Sequence, residues 1–141
     1  MSLRKWPRYC KMGRRESIKC AQRAMREIIE SDWKLLRELR AGALERLCRR
    51  ILIEVAASCN AAGSSHERFA DVFSRVKDGD ADVAVIFDDL RRSNAVRRLG
   101  LMRAHRLITD AEFGMFTETT RKAASLIADS RIVMMSEAEK P

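Results

Sequence analysis

One stretch of the sequence decides the fold: residues 31–59, SDWKLLRELRAGALERLCRRILIEVAASC. At 100° per residue, its apolar side chains fall on one side of a helix: Trp33, Leu36, Leu39, Ala43, Leu44, Leu47, Ile51 and Val55. Lys34, Glu38, Glu45 and Arg49 fall on the opposite side. The pattern predicts a long amphipathic helix, and its apolar stripe must be covered by the rest of the chain or by a second copy.

The same stripe continues upstream of residue 31, through Ile18, Ala21, Met25, Ile28 and Ile29. Two interpretations follow. Residues 16–59 form one helix about 65 Å long, or two helices are broken at Ser31, which caps the second with Asp32 in its first turn. Because Lys34 stands where a capping box would have Glu, we favour one helix with a kink or fray at residues 30–32.

Shorter helices are predicted for the rest of the chain. Gly63 suits the left-handed residue that ends the long helix. Ser64 with Glu67 is a capping box that opens a short helix, and residues 77–81 read as a turn. Asp80 and Asp82 would then lie at the N-terminus of the next helix.

The apolar run at residues 83–87 keeps helical spacing with Leu90, and we expect a helix there because no second strand is available. Ser93 or Asn94 then begins a helix that ends near residue 107. Thr109 with Glu112 is a second capping box. Thr117 caps the last helix.

The predicted fold is therefore all-α: one long amphipathic helix, kinked near Ser31, with four or five shorter helices packed on its C-terminal half. Residues 1–15 form a basic N-terminal arm, residues 16–134 a single helical domain and residues 135–141 a C-terminal tail. The predicted core consists of Leu44, Leu47, Ile51, Val55, Phe69, Val72, Phe73, Ile86, Phe87, Leu90, Leu99, Phe113 and Leu126.

Composition narrows the class of protein. A chain of 141 residues that is 46% hydrophobic is long enough for one domain with its own core. No apolar run approaches the ~20 residues of a membrane span, and no apolar region follows the basic N-terminus as in a secretory signal. The four cysteines, Cys10, Cys20, Cys48 and Cys59, form no CxxC pair. We therefore expect a reduced, cytoplasmic setting.

The net charge of +8 is unevenly placed. Residues 1–60 carry 15 Lys and Arg against 7 Asp and Glu, whereas residues 61–141 carry 13 of each. The arm holds the basic residues Arg4, Lys5, Arg8, Lys11, Arg14 and Arg15 beside the aromatic Trp6 and Tyr9. Such a mixture suits phosphate contact and base stacking. The alternative is a solvated tail that binds nothing.

A second basic segment, residues 91–106, has six arginines and no acid. On one helix, Arg91, Arg98 and His105 would share a face with Arg106 close by, and guanidinium groups in a row can hold phosphates. The alternative is an outer face that is neutralised by nearby acids. Asp88 and Asp89, just upstream, could form ion pairs with the arginines that follow them.

Sequence patterns typical of catalysis or metal binding are missing. The acids of residues 78–89 lack the ligand spacing of a calcium loop. His66 and His105 have no cysteine or carboxylate at zinc-ligand spacing. We expect no catalytic residue, metal or cofactor, although an enzyme with an unrecognised site stays an alternative.

Two non-enzymatic functions remain beside that alternative. The first is non-enzymatic association with nucleic acid or another polyanion through Arg4, Lys5, Trp6, Arg8, Lys11, Arg14, Arg15, Arg91, Arg98, His105 and Arg106. The second is a helical protein–protein module, a homodimer or an adaptor, that uses the exposed stripe Ile18, Ala21, Met25, Ile28 and Ile29.

Overall fold

A computed structural model of the protein describes the backbone of residues 27–138 and the side chains of residues 27–131. Five α-helices and no strand lie within these residues, which confirms the predicted all-α class. The helices are α1 (Glu30–Cys59), α2 (Ser65–Phe87), α3 (Ala95–Ala104), α4 (Asp110–Gly114) and α5 (Glu118–Ala138), and a 3₁₀ turn at Arg92–Asn94 precedes α3. Helix α5 extends beyond residue 134, where we expected the domain to end.

Helix α1 begins at Glu30 rather than continuing from upstream. Residues 27–29 are not helical, and Ile29 has an extended backbone with φ −69° and ψ 157°. We favoured one helix with a kink or fray at residues 30–32, and this is wrong because the chain is not helical at residues 27–29. The alternative of a break is closer, although the residue that caps α1 is Ile29 and not Ser31. The Ile28 side chain, just before the start of α1, is buried in the core.

Two groups of helices cover α1 along different parts of its length. Helix α2 runs antiparallel beside the C-terminal half of α1, where Ile51 meets Gly79 and Ser58 donates a hydrogen bond to Asp71. Helices α3–α5 and their loops contact α1 from Asp32 to Arg50. We had expected all the shorter helices to pack on the C-terminal half of α1. This expectation is wrong, because α3–α5 also contact the N-terminal half.

Helix α2 is continuous where the sequence predicted a turn at residues 77–81. The reason is Gly79, which is buried against α1: a Cβ atom there would lie 2.8 Å from Cδ1 of Ile51. Glycine is used at this position for close helix approach, and not for a turn. Asp80 and Asp82 consequently lie inside α2 and not at a helix N-terminus.

Both predicted capping boxes are confirmed. The Ser64 backbone N–H donates to Glu67 over 2.7 Å while the Glu67 N–H donates to the Ser64 hydroxyl, and Gly63 before them has φ +124°. Thr109 and Glu112 repeat the arrangement at the start of α4. Residues 83–87 are helical, as expected.

One arginine joins α1 to the loop after α3 and to helix α4. Arg46 donates to the carbonyl of Leu107 over 2.7 Å and holds both carboxylate oxygens of Glu112 at 2.8 Å. Glu112 is at the same time the capping residue of α4. The Arg46 guanidinium is the main reason why the pKa of Glu112 falls from 4.5 to about 2.

Two further arginines of α1 bind the ends of its neighbours. Arg40 donates to the carbonyl of Phe87, where α2 ends, and Arg50 donates to the carbonyl of His105, where α3 ends. Both carbonyls belong to helix C-termini, which favour cations. Near the start of α1 the buried carboxylate of Asp32 accepts hydrogen bonds from the hydroxyl and the backbone N–H of Thr117.

The core differs from the predicted one at three positions. Leu47, Ile86, Phe87 and Leu99 are buried as expected, and Leu44, Ile51, Val55, Val72, Leu90 and Phe113 are partly buried. Phe69, Phe73 and Leu126 are wrong: their side chains are 69%, 62% and 53% exposed. For the phenylalanines the reason is Gly79, because the side of α2 that packs on α1 is set by Gly79 and turns the rings outward. None of the described helices combines the length and apolar character needed to cross a membrane.

Two glycines inside helices should respond oppositely to alanine. A Cβ at Gly100 would lie 2.7 Å from Cβ of Ile127 and 2.9 Å from the backbone oxygen of Ala124, whereas Gly42 has nothing within 4 Å. Gly42→Ala should stabilise the fold by about 0.5–1 kcal/mol. Gly100→Ala should destabilise it by about 1–2 kcal/mol, because crowding of the α3–α5 contact exceeds the gain in helix propensity.

Urea unfolding followed by circular dichroism measures both glycine variants. Equal stabilisation by the two substitutions would contradict the close packing of α3 on α5.

The ion pair between Arg46 and Glu112 should make stability depend on pH in a defined window. Because the folded pKa of Glu112 lies near 2, below the ordinary 4.5, its contribution is complete above pH 4.5 and is lost as the pH falls towards 2. Glu112→Gln keeps a residue that capping boxes accept and should cost about 1 kcal/mol at neutral pH.

The cost of Glu112→Gln, measured by thermal and urea unfolding, should disappear near pH 2. Glu118→Gln is the control, because the pair of Glu118 with Lys122 is exposed and spaced i,i+4 on one helix. A pH-independent difference between wild type and Glu112→Gln would contradict the role of the ion pair.

Candidate nucleic-acid interface

The basic excess of the chain lies before α1. Residues 1–26 carry 9 Lys and Arg against 1 acid, whereas residues 27–131 carry 18 against 17. The body of the protein is therefore nearly neutral. The seven predicted binding residues of the arm, Arg4, Lys5, Trp6, Arg8, Lys11, Arg14 and Arg15, lie outside the described residues, as do Ile18, Ala21 and Met25. Any long-range attraction of a polyanion originates mainly in that first segment.

An aromatic ring with two cations lies where residues 1–26 lead into the helical body. Trp33 is in the first turns of α1, and the guanidinium carbons of Arg37 and Arg92 each lie 6.0 Å from the centroid of its ring. Arg37 is four residues along the same helix, while Arg92 comes from the 3₁₀ turn. Both distances are in the range of cation–π contacts. We call these three residues the Trp33 cluster.

The Trp33 cluster borders a shallow pocket. Its volume is about 290 Å³, and Trp33, Arg37, Arg40 and Leu90 line it. The ring is partly buried, so one part of it packs on the core while another part stays accessible. Aromatic rings flanked by guanidinium groups can stack on a base and hold its phosphate.

A compact turn places Arg92 over the ring. Asp89 has a left-handed backbone with φ +53° and accepts a hydrogen bond from Arg91 over 2.7 Å. Asn94 closes the turn by accepting from the Arg91 N–H and donating to the Asp89 carbonyl. Arg92 is further held by an ion pair with Glu30 at the start of α1. The sequence around residues 88–94 thus builds a structured loop that carries Arg92 to the Trp33 ring.

The predicted row of Arg91, Arg98 and His105 on one helix is wrong. Arg91 precedes the 3₁₀ turn and pairs with Asp89, while His105 follows the last residue of α3. Arg98 is partly buried, and Arg106 has left-handed φ of +56° just outside the helix. The row fails because Asn94 starts α3 and because the chain turns at Arg106, so the helix is too short to align them.

His105 does not add positive charge at neutral pH. Burial lowers its pKa below 6.5; the Asp82 carboxylate opposes this, and Arg131 and Arg50 lower the pKa further. The neutral ring cannot attract a phosphate as a cation would. This residue contributes little to a basic surface.

Arg106 lines a separate cleft of about 660 Å³ between α3, α4 and α5. Arg103 lines the same cleft. Its guanidinium carbon lies 4.8 Å from the centroid of the Phe113 ring, and its guanidinium donates a hydrogen bond to Asp110 over 2.5 Å. Asp110 and Asp129 also line the cleft. Because acids accompany the arginines, this cleft is less suited to a polyanion than the Trp33 cluster.

Sequence reasoning missed the Trp33 cluster. The i,i+4 spacing of Trp33 and Arg37 was available as a signal, although Trp33 was assigned to the apolar stripe alone. The approach of Arg92 could not be predicted, since it depends on the left-handed turn at Asp89. The prediction that Ile28 belongs to an interface is wrong, because its side chain is buried in the core of its own chain. Ile29, which was predicted with it, is exposed.

No family model matches the sequence, and no match was found among curated proteins or among solved structures. Within residues 27–131, no three His, Cys, Asp or Glu side chains are grouped as a metal site would require. Function is therefore inferred from the residues and from their geometry.

Proposed function

We propose that the protein binds nucleic acid without catalysing a reaction, through the basic residues 1–15 and the Trp33 cluster. The observation that carries this proposal is that the guanidinium groups of Arg37 and Arg92 both lie 6.0 Å from the Trp33 ring, near the start of α1. The arm supplies charge, and the Trp33 cluster supplies a ring for stacking.

The division of charge explains how such binding would work. The helical body is nearly neutral, so its attraction for phosphates is short-ranged, whereas the arm carries six cations within 15 residues. Stacking of one base on an accessible ring contributes about 1–3 kcal/mol and depends little on its identity. The proposal therefore favours single strands with little sequence preference.

The arginine-rich segment contributes differently from our first expectation. Arg92 replaces Arg98 and His105 as the binding residue of this segment, because it is the one that reaches the Trp33 ring. Arg91 is engaged by Asp89 and holds the loop. A phosphate bound near Trp33 would compete with Glu30 for the Arg92 guanidinium.

The alternative function, a helical protein–protein module, is favoured by a different observation. Several large apolar side chains of α1 and α2 are exposed. Of the stripe predicted at residues 18–29, Ile29 is the member that the structure describes as exposed.

Removal of arm charges should flatten the salt dependence of binding. Six engaged cations give a slope of log affinity against log salt of roughly −4 to −5. The variant Arg4→Ala, Lys5→Ala, Arg8→Ala, Lys11→Ala should reduce the slope by about 3 units and weaken all sequences alike. Fluorescence anisotropy with labelled oligonucleotides measures it. The control removes three exposed cations of the body, Lys77, Arg97 and Lys122. Equal slopes for both variants would indicate that the arm is a solvated tail that does not bind nucleic acid.

The Trp33 cluster should matter for single strands more than for duplexes. In a Trp6→Phe background, a thymine oligonucleotide should quench the emission of Trp33 by stacking on it. Arg37→Ala with Arg92→Ala should weaken binding of that oligonucleotide about 10-fold and reduce quenching, while Arg97→Ala with Lys122→Ala should not. Unchanged quenching and affinity in the first pair would remove the Trp33 cluster from the interface.

A further inference from the structure

An uncovered apolar face runs along the hairpin formed by α1 and α2. Its exposed members are Leu52, Cys59, Phe69, Phe73 and Val76, with the partly buried Val55 and Val72 between them. Leu52 is 67% exposed and Val76 is 49% exposed, and both phenylalanine rings project from α2. We call these seven residues the hairpin face.

The members of the hairpin face lie on one side of the hairpin. The contact of Ile51 with Gly79 defines the line along which α1 and α2 face each other. At 100° per residue, Leu52 lies about 100° round α1 from this line. Phe69, Phe73 and Val76 lie roughly 60–120° round α2 in the same sense. For antiparallel helices, equal senses of rotation lead to the same side.

The opposite side of α1 is the one that α3–α5 cover. Leu47 and Arg50 lie on α1 in the other sense of rotation from Ile51. Leu47 is buried, and Arg50 bonds to the carbonyl of His105. The same chain therefore covers one side of the hairpin and leaves the other apolar and open within the described residues.

The hairpin face lies far along α1 from the start of that helix. Leu52 lies about 33 Å along α1 from Glu30, and Cys59 about 43 Å.

The size of the hairpin face suits a partner of defined shape. A fully covered phenylalanine buries about 150–250 Å², so seven apolar side chains offer on the order of 500 Å². With a polar rim this approaches the ~800 Å² per partner of a standard interface. Monomeric proteins rarely expose an apolar patch of this size without a use for it.

We propose that a second copy of the chain docks on the hairpin face and forms a four-helix bundle. A two-fold axis parallel to the helices places α1 of one copy against α2 of the other, running antiparallel. Ile51 and Gly79 lie at one height, so Leu52 meets the partner's Val76. Cys59 lies beside the partner's Phe69 and Phe73 at the end near Gly63.

Charges on the rim favour this arrangement. Arg49, on the outer edge of α1, is highly exposed and lies 3.5 Å from Glu45. Asp80 lies about 100° round α2 from Gly79, on the side of the hairpin face and one turn from Val76, and is exposed as well. Because residues 49 and 80 lie at nearly the same height as Ile51 and Gly79, the two-fold brings Arg49 towards the partner's Asp80, and symmetry repeats the pair. Both copies then gain an ion pair at the edge of the apolar contact.

The first test is the mass of the full-length chain by light scattering, measured in about 1 M salt so that any nucleic acid is released. Wild type should have twice the monomer mass. Phe69→Gln with Phe73→Gln should weaken dimerisation more than 10-fold and give monomers with the helical circular-dichroism spectrum of the wild type, because both rings are already exposed within one copy. The control, Met115→Gln with Leu126→Gln, changes two exposed apolar residues elsewhere and should stay dimeric.

A monomeric wild type at several hundred micromolar would overturn the proposal, as would a dimer that survives the two phenylalanine substitutions. These outcomes do not depend on nucleic-acid binding, which is measured separately.

The second test concerns the arrangement. In the nucleic-acid-free protein near 0.15 M salt, Arg49→Asp and Asp80→Arg should each weaken the dimer about 10-fold by placing like charges together. The double variant should recover the wild-type affinity. Failure of the double variant to recover would overturn the pairing of α1 with the partner's α2.

Discussion

Helix α1 has more apolar surface than any one of its neighbours covers, and the rest of the structure follows from this constraint. Helix α2 packs on α1 at Ile51, and α3–α5 cover the side of α1 that contains Leu47. The Arg46 guanidinium binds the carbonyl of Leu107 and the carboxylate of Glu112 and so fixes α3–α5 against α1. Within the described residues one side of the hairpin stays open, and the basic residues 1–15 precede the other end of α1 in the sequence.

Local signals in the sequence predicted the elements well. The capping boxes at Ser64 and Thr109 depend on residues three apart, so their outcome is decided before tertiary packing. Gly79 shows the limit, because a glycine among aspartates reads as a turn, whereas here it admits Ile51. The choice between those uses depends on a residue 28 positions away, which no local pattern contains. Phe69 and Phe73 were expected inside for the same reason.

The candidate site was predictable only in part. Composition located the positive charge, since most of it lies in one segment. The contacts of Arg46, Arg50 and Arg92 could not be predicted, because their partners are distant in sequence. The arginines of residues 91–106 act mostly within the fold: Arg91 closes a turn and Arg103 binds Asp110. A basic stretch therefore divides into residues that hold the structure and one, Arg92, that faces an accessible ring.

Under the two proposals the chain joins two binding surfaces, a basic end for nucleic acid and an apolar hairpin for a second copy. The most direct measurement is light scattering combined with the ratio of absorbance at 260 and 280 nm, on protein purified first in low and then in high salt. We expect nucleic acid to accompany the protein at low salt, to leave at high salt, and to leave behind a particle of twice 16.1 kDa. A nucleic-acid-free particle of 16.1 kDa under both conditions would contradict the account.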